Sequence, residues 1–388
     1  MNPRDKNAKR RLRIAVFNRN FCAASGGAER YSVALVERLA AQYEIHVFAQ
    51  RIEHEWQGVT YHRIPHWIRR PRWVNQGWYA TATWWATRHG FDWVLSHENT
   101  WHGQIQTVHV APVKYSLFHG LTGWRRWWRW VGVVASPRLL TYLWLEWHRY
   151  AQRPGRTIVA TSSRLREQIE AAYPEGRAPV EVITPGVDVR GSPATWPQKL
   201  AARQSLGLPE AGQCILFVGN DYRKKGLATL LAALAKLPED YYVAVVGNPD
   251  QTLEFAKQAQ DLRQDHRVFF LGSQRWIGLA YTAADCLVHP TLEDTFGMVV
   301  LEAMAYGLPV VVSDQKHCGI ASLLDHRVNA YLLEDPRDAT TLAHTIEPIF
   351  GDLVTSLNVR DAARAFAMQY DWSETAAKYR QLFENGGC

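Results

Sequence analysis

The sequence is poor in the residues that build disulfide frameworks and clustered metal sites. Its 388 residues include only five cysteines, which are scattered and nowhere paired at a metal-ligand spacing. An odd, scattered set favours a reducing compartment and argues against a small secreted fold held by disulfides. No Asp-x-Asp pair occurs either. We therefore expect no structural disulfides, and the cysteines do not predict a metal site.

Long apolar segments are missing as well. No uncharged apolar run reaches the ~18 residues expected of a membrane span. The first residues lack the apolar core of a signal peptide. These absences predict a cytosolic protein that can still bind to the surface of a membrane.

The chain is instead rich in positive charge and in tryptophan. Lys and Arg number 44 against 37 Asp and Glu, which gives a formal net charge of +7. Such an excess favours an anionic partner, namely phosphates, nucleic acid or an acidic membrane surface. Residues 1–13 form a basic tail with a single acid, and 14 of the 17 tryptophans precede residue 150.

Strand-like and helix-like segments alternate through most of the chain. "RLRIAVFN" and "QCILFVG" are typical of buried strands, and an apolar-periodic helix follows each of them. The alternation predicts an α/β fold of two doubly wound, Rossmann-like domains with a cleft between them. The predicted order is a basic tail (1–13), a first α/β domain (14–190), a Pro- and Gly-rich linker (191–212), a second α/β domain (213–358) and C-terminal helices (359–388). Whether those helices return to the first domain stays open.

Two loops at predicted strand ends have the composition of phosphate sites. Gly26 and Gly27 follow the first strand, where glycine lets a ligand approach the backbone at a helix N-terminus. Arg223, Lys224 and Lys225 precede a helix of the second half, and three cations at a helix start suit a diphosphate. The alternatives are a plain turn and a solvated basic loop.

The segment "HPTLEDTFGMVVLEAMAYGLPVVVS" places two acids in an otherwise apolar strand–helix–strand unit. Asp294 lies in the loop, and Glu302 lies about two turns into a helix predicted to begin near Thr295. Carboxylates accept hydrogen bonds from sugar hydroxyls, and a helix start binds phosphate. A metal site is the competing use of these acids. His109 ends another strand, where it can orient a hydroxyl, transfer a proton or be merely structural.

The same segment resembles the signature of the retaining glycosyltransferases of family 4, which have the GT-B fold. In that signature two Glu residues stand eight positions apart; Glu302 matches the second, and Asp294 replaces the first. "SGGAER" is similar to the family's glycine loop and "KKG" to its diphosphate lysine, while Asn220 replaces the usual Arg. The resemblance runs from Ile14 into the C-terminal helix, and lipopolysaccharide-core glucosyltransferases are the most similar group.

The resemblance implies transfer of a sugar from a nucleotide-diphosphate sugar, with UDP favoured, to a glycolipid acceptor. It implies retention at the anomeric carbon, no metal or other cofactor, and a place in lipopolysaccharide-core or other surface polysaccharide synthesis. Glu302 would hold the ribose, Asp294 the transferred sugar, and His109 would complete the catalytic set. The donor-binding set would be Gly26, Gly27, Arg223, Lys224, Lys225, Arg275, Thr295, Phe296, Gly297 and Met298.

A Trp- and Arg-rich stretch in the first domain predicts contact with a membrane. Trp favours the water–lipid interface, and Arg favours anionic head groups. We expect Gly123–Val134 to lie on the cytosolic face of the inner membrane and to present the cleft to a lipid-linked acceptor. Leu139, Leu143 and Trp147 are expected to pack inward, and a helix buried against its own domain is the alternative. The predicted membrane contacts are Trp124, Arg125, Arg126, Trp127, Trp128, Arg129 and Trp130.

Two other functions stay open. A non-enzymatic binder of acidic lipid or nucleic acid would bind without turnover, but it would leave Glu302 without a role. A GT-B nucleotide-sugar epimerase would convert a UDP-sugar without any acceptor. A phosphorylase would need a cofactor lysine that the sequence does not identify. The long signature favours the transferase and no nucleic-acid partner.

Overall fold

The chain divides into two compact units. The first contains the described residues up to Thr161, then Leu165–Ile183 and the segment from Trp372; the second contains Ser162–Arg164 and Thr184–Asp371. The computed structural model describes residues 10–22, 26–68, 70–188, 193–274 and 276–385.

The first unit is an α/β unit around a parallel sheet. Its strands are β1 (Arg13–Phe17), β2 (Asn20–Phe21), β3 (Glu44–Ala49), β4 (Arg51–Ile52), β5 (Val59–Arg63), β6 (Trp93–Ser96), β7 (Ile105–Val108), β8 (Thr157–Ala160) and β9 (Val180–Val182). The helices along this part are α1 (Gly27–Leu39), α2 (Arg72–Thr87), α3 (Val113–Phe118), α4 (Gly123–Val134), α5 (Pro137–Tyr150) and α6 (Ser163–Ala172). Seven strands pair in the order β5-β3-β1-β6-β7-β8-β9, and β2 pairs with β4 separately.

The second unit repeats this architecture. Its strands are β10 (Gln213–Val218), β11 (Tyr241–Val246), β12 (Val268–Gly272), β13 (Cys286–His289), β14 (Val310–Ser313) and β15 (Tyr331–Leu333). Its helices are α7 (Trp196–Leu206), α8 (Leu227–Leu234), α9 (Thr252–Asp261), α10 (Ile277–Ala283), α11 (Met298–Ala305), α12 (Ala339–Gly351) and α13 (Leu353–Ala367). The strands form one parallel sheet in the order β12-β11-β10-β13-β14-β15.

Apolar runs explain why these strands lie at the centre of each unit. All six residues of β11 and all four of β14 are buried, as expected for strands with helices on both faces. The helix α8 is apolar almost all round and packs against α12 and β11, so it belongs to the core. The predicted α/β class with two doubly wound domains is thereby confirmed.

The predicted linker contains a helix that begins and ends with standard caps. Thr195 and Gln198 form a capping box at the start of α7, and Gly207 ends the helix in the left-handed conformation at φ 66°. The guanidinium of Arg203, fully buried, pairs with Asp285 at 2.6 Å. Residues 196–206 are therefore part of the second unit.

The last two helices go to different units. α13 packs against α11 in the second unit, whereas α14 (Trp372–Asn385) packs against α1 in the first. The Tyr379 hydroxyl of α14 lies 2.7 Å from Thr107 Oγ1 and accepts from the Tyr31 hydroxyl at 3.1 Å. No helix among the described residues combines the length and the apolarity needed to cross a membrane.

Candidate functional site

Two loops meet at the carboxyl edge of the second sheet. One follows β10 and ends at Gly226, and the other follows β13. The Leu292 amide donates to the Lys224 carbonyl at 2.8 Å, and a Cβ on Gly226 would lie 1.9 Å from the Pro290 carbonyl oxygen. With φ at 80°, position 226 therefore needs glycine for its backbone conformation and for this close approach.

A short ion pair also joins the basic loop to the acidic loop. Lys225 Nζ lies 2.5 Å from Asp294 Oδ2, and His289 Nε2 lies 3.1 Å from the same oxygen. Burial by itself would raise the pKa of Asp294, but the Lys225 ammonium and the His289 hydrogen bond hold the pKa below its ordinary value. Asp294 is therefore ionised at neutral pH.

The protonation of His289 follows from this arrangement. Burial lowers the pKa of His289, and its pairing with Asp294 offsets only part of that effect. A neutral imidazole beside a carboxylate must carry its proton on the facing nitrogen, so Nε2–H donates to Asp294. Lys225 has three N–H donors; it donates to Asp294 at 2.5 Å and, more weakly, to the Glu293 carbonyl at 3.4 Å, which leaves a third donor for a phosphate.

The same corner holds the one group of three potential metal ligands found among the described residues. Atoms of His289, Asp294 and Cys318 lie within 4.8 Å of one another. However, the Lys225 ammonium already neutralises Asp294, and burial raises the pKa of the Cys318 thiol far above neutral pH. A protonated thiol and an engaged carboxylate fit a cation poorly.

Glu302 lies on the helix that follows this loop, although that helix starts later than the sequence predicts. α11 begins at Met298 after Gly297, whose φ is 96°, so Glu302 is one turn inside it and not two. The Phe296 amide donates to Asp294 Oδ1 at 3.3 Å and cannot also serve as a free helix-start donor. The Glu302 side chain is 8% exposed and accepts from the Tyr281 hydroxyl at 2.7 Å.

The other predicted donor-binding residues of the second unit differ in their burial and in their partners. Phe296 packs its ring in the core, its amide donates to Asp294 and its carbonyl accepts from the Ile320 amide at 2.7 Å, so the predicted donor contact of Phe296 is wrong. Thr295 and Met298 are half-buried. Arg223 pairs with Glu254, with Nε 2.8 Å from Oε1, and Lys224 is exposed with Nζ 3.9 Å from Glu293. The structure thus brings Lys225 to Asp294, and it brings neither Arg223 nor Lys224 there. Arg275 lies outside the described residues.

In the first unit, His109 is paired with a second histidine that sequence reasoning missed. The two residues follow the neighbouring strands β6 and β7, and His97 Nδ1 lies 3.0 Å from His109 Nε2. Burial and the Arg149 guanidinium lower the pKa of His109 to about 3, and burial likewise depresses the pKa of His97. Both rings are therefore neutral at pH 7, which suits hydrogen bonding better than proton release. The Tyr31 ring contacts His109 edge-on at 5.1 Å.

A half-buried ion pair lies at the same sheet edge. Arg19 donates to Glu98 from its amide at 3.1 Å and from Nε at 2.9 Å. Both residues lie two positions after a strand, in "NRN" and "SHENT". Polar residues just after a strand were therefore the sequence signal that could have predicted this pair. Gly26 and Gly27 also lie at this edge, where Gly27 begins α1 and a Cβ on Gly26 would come within 2.8 Å of Glu29.

The predicted membrane segment forms α4, whose side chains are almost all exposed. Trp124 is 69% exposed, and Trp127 and Trp128 are each 60% exposed. Arg125, Arg126, Arg129 and Trp130 are exposed as well, and Val133 is the buried residue of the helix. In α5, Leu139 and Leu143 are half-buried, but Trp147 is 60% exposed, so its predicted inward packing is wrong. The buried residues of α5 are Leu145, Glu146, Arg149 and Tyr150.

The neutral histidine pair predicts a pH dependence of stability. In the unfolded chain these histidines have the ordinary pKa of about 6.5, whereas the folded pKa of His109 is about 3. The unfolded chain therefore binds protons first as the pH falls, and stability is full above about pH 6.5 and declines below it. Between pH 7.5 and 5 we expect His109→Asn to reduce this decline by about 1–2 kcal/mol.

Denaturant unfolding followed by tryptophan fluorescence measures this effect in the first unit, which contains most tryptophans. His89→Asn is the control, because His89 is exposed in the same unit. Equal declines in the parent and in both variants would contradict a neutral His109.

Two known protein families match the sequence, one in each half of the chain. The model for glycosyltransferase family 4 matches residues 25–190, and the model for glycosyl transferases group 1 matches residues 198–366. Together they span most of the chain, which therefore belongs to the family 4 glycosyltransferases with the GT-B fold. The predicted family and the predicted glycosyltransferase class are confirmed.

Individual relatives are more distant. A D-inositol 3-phosphate glycosyltransferase of Corynebacterium urealyticum is 30% identical over 241 residues, which cover 59% of this chain and 56% of that protein. The crystal structure of WaaG, a glycosyltransferase involved in lipopolysaccharide biosynthesis, has a TM-score of 0.82 and 19% identity, covering 95% of this chain and 99% of that one. HepE of Anabaena in complex with UDP-glucose has a TM-score of 0.76 and 19% identity, covering 96% and 100%. The chain spans 49% to 59% of the length of the first curated relatives it matches.

Proposed function

We propose that the protein transfers a sugar from a nucleotide-diphosphate sugar, UDP-linked in the favoured case, to a glycolipid acceptor, with retention and without a metal. The observation that carries the proposal is the junction of Lys225 and Asp294 at the sheet edge from which α11 begins. A cation for the diphosphate and an acid for the sugar are thereby held within one hydrogen bond of each other. The UDP-glucose bound to HepE supports this choice of donor.

Each residue has a distinct task in this proposal. Lys225 contacts Asp294 and a phosphate oxygen together, and it stabilises the charge that develops on the leaving diphosphate. The Val300 amide donates to the Gly297 carbonyl at 3.0 Å, and the amides of Met298 and Val299, the first two of α11, add donors to the same phosphate. Asp294 accepts from hydroxyls of the transferred sugar, and Glu302 accepts from those of the ribose.

The acceptor hydroxyl attacks on the face that the diphosphate leaves, and a diphosphate oxygen takes its proton. The new glycosidic bond forms as the anomeric carbon–oxygen bond to the diphosphate breaks, so the configuration is retained. His109 is neutral at pH 7 and orients a hydroxyl through a ring nitrogen. This route requires no side-chain nucleophile.

The test combines the purified chain with UDP-, GDP- and ADP-glucose and a membrane glycolipid extract. We expect transfer from one nucleotide, a product with the donor's anomeric configuration by NMR, and an unchanged rate in EDTA. Inversion, or loss of activity in EDTA with recovery in magnesium, would overturn the mechanism. Interconversion of the donor sugar without an acceptor would indicate an epimerase. Mass spectrometry of surface glycolipid from a deletion strain identifies the acceptor and tests a role in lipopolysaccharide-core synthesis.

We propose further that α4 and α5 hold the protein on the cytosolic face of the inner membrane. No Asp or Glu occurs between Glu98 and Glu146, so the whole stretch that contains α4 carries only positive charge. A groove of about 470 Å³ runs between the two helices, with Trp124, Trp128, Arg125 and Arg129 along it. Exposed indoles beside guanidinium groups that pair with no acid of the described residues match an interface of acyl chains and anionic head groups. The lipopolysaccharide role of WaaG supports a lipid-linked acceptor.

Charge reversal on α4 is expected to abolish this attachment. Each basic residue near an anionic surface contributes about 1 kcal/mol, so changing Arg125, Arg126 and Arg129 to Glu should lower vesicle affinity more than a hundredfold. Liposome flotation at low salt measures the bound fraction with anionic and with neutral vesicles. We expect binding that needs anionic lipid and weakens as salt rises.

The matched control reverses three exposed basic residues of the second unit, Lys236, Lys257 and Arg337. This variant changes the net charge equally but leaves α4 intact, so it should float like the parent. If both variants lose binding alike, only the net charge matters. If the parent ignores anionic vesicles, the membrane proposal fails and a soluble acceptor is favoured.

A further inference from the structure

A second cavity lies in the first unit, at the opposite edge of its sheet from His109. It has a volume of about 280 Å³ and opens between the end of α2, the start of β6 and the loops that precede β7 and β8. Because the strands are parallel, these positions mark the amino edge of the sheet, whereas His97 and His109 follow the carboxyl ends. We call it the amino-edge cavity, and its charged and aromatic walls are Trp84, Arg88, His102, Arg153 and Arg156.

The amino-edge cavity is lined by three arginines and by no acid. Arg156 is 5% exposed and spends its donors on backbone carbonyls, among them Gly103 and Trp101, each at 3.1 Å. Burial, followed by the charges of Arg153 and Arg149, lowers the pKa of Arg156 to about 10. Within the described ranges, neither Arg88, Arg153 nor Arg156 forms an ion pair, so this positive charge is uncompensated.

His102 lies beside this uncompensated positive charge and lacks hydrogen-bond partners of its own. It is 9% exposed, and neither of its ring nitrogens has a hydrogen-bond partner in the described part of the chain. Burial and the charges of Arg156 and Arg153 lower its pKa to about 3. A buried polar group without a partner costs about 1–3 kcal/mol, and an anion in the cavity would offset the two charges that act on the ring.

The rim of the cavity is aromatic. Trp84 is 38% exposed, and the Arg88 guanidinium lies 4.1 Å from the centre of the Trp85 ring, which fixes its position. The Trp101 ring is 5.6 Å from His102 on one side and 5.6 Å from the exposed Trp144 of α5 on the other. An anion at this site would therefore have indole surface beside it.

We propose that the amino-edge cavity binds a phosphate group, held by the guanidinium groups of Arg88 and Arg153 against the positive wall formed by Arg156. Phosphate has the charge and the several acceptor oxygens that planar guanidinium groups match. The volume admits a phosphate or a small phosphomonoester, and the same chemistry is offered by free phosphate and by a phosphomonoester lipid head group. This site is separate from the proposed donor site, because it lies at the amino edge of the first sheet, whereas Gly26, Gly27 and His109 lie at the carboxyl edge and Lys225, Asp294 and Glu302 belong to the second unit.

Calorimetric titration of the full chain with inorganic phosphate tests the proposal. The titration is done on a Lys225→Ala protein, which lacks the main phosphate contact of the donor site. Phosphate binding that remains in this protein belongs to the amino-edge cavity, so the cavity proposal can fail or hold independently of the transfer proposal. Replacing Arg88 and Arg153 together by Gln should weaken phosphate binding about tenfold or more, because hydrogen bonds to charged groups are lost. Arg156 is left unchanged, since its bonds to backbone carbonyls support the fold.

Arg138→Gln is the matched control, because Arg138 is an exposed arginine of the same unit outside the cavity. It should leave the affinity for phosphate unchanged. Equal weakening by this control would mean general attraction to positive charge and would overturn the site. Absence of phosphate and phospholipid binding to the parent, or unchanged binding to the double variant, would overturn it as well.

A second titration identifies the source of the phosphate. It uses a short-chain phosphatidic acid below its micelle concentration, with and without Trp84→Ala. Tighter binding than inorganic phosphate, with the advantage lost on removing the indole, would assign a lipid head group. Equal affinities would assign free phosphate or a soluble phosphomonoester.

Discussion

Glu302→Gln is expected to lower the transfer rate about tenfold to over a hundredfold, because a hydrogen bond to a charged group contributes about 1.5–3 kcal/mol. The substitution keeps the shape of the side chain and an oxygen that accepts from Tyr281, and it removes only the charge. The loss should therefore arise in the contact to the ribose and not in the packing of α11. Steady-state rates over a range of donor concentrations measure it, and circular dichroism checks the fold.

The neighbouring acid Glu293 provides the control for this experiment. Its side chain is 48% exposed and belongs to the same loop, but its nearest cation, on Lys224, is 3.9 Å away. Glu293→Gln should transfer at close to the parent rate. A folded Glu302→Gln protein with parental activity would remove Glu302 from the donor site.

Lys225→Ala is expected to weaken binding of the nucleotide diphosphate and of the donor by at least tenfold. The substitution removes the cation that contacts Asp294 at 2.5 Å, so the diphosphate loses a charged donor. The pKa of Asp294 should also rise, because the ammonium that lowers it is gone. Calorimetry with UDP, GDP and ADP measures the first effect and also identifies the preferred base.

Lys224→Ala and Arg223→Ala are the paired controls. Both side chains are about two-thirds exposed, and Arg223 is engaged with Glu254. They should change affinity by much less than Lys225→Ala does. Equal losses at all three positions would describe a diffuse basic loop in place of a built diphosphate site.

Periodicity in the sequence was sufficient to predict the α/β class, because buried strands such as β11 and β14 are continuous apolar runs. The sequence predicted the ends of helices and their inward faces less well. α11 begins at Met298 and not near Thr295, because Gly297 adopts a left-handed conformation and Asp294 takes the Phe296 amide. Trp147 was expected inside, but the inward side of α5 instead carries Leu145.

The contacts of the candidate site depend on which strands become neighbours, and local sequence does not carry that information. Lys225 and Asp294 are 69 residues apart and meet because β10 and β13 pair directly. His97 and His109 meet because β6 and β7 pair. The residue types and strand-end positions were predictable, whereas the pairing of Lys225 with Asp294 and of His109 with His97 was not.

The return of α14 to the first unit has a consequence for how the protein is made. The Tyr379 hydroxyl accepts a hydrogen bond from the hydroxyl of Tyr31, which lies 348 residues earlier in the chain. The ribosome therefore synthesises the second unit before it synthesises α14, the helix that completes the first unit. The face of α1 that receives α14 therefore stays uncovered while the second unit is synthesised. Completion of the first unit is therefore coupled to the synthesis of α14, and a chain that stalls before Trp372 would leave that face of α1 uncovered.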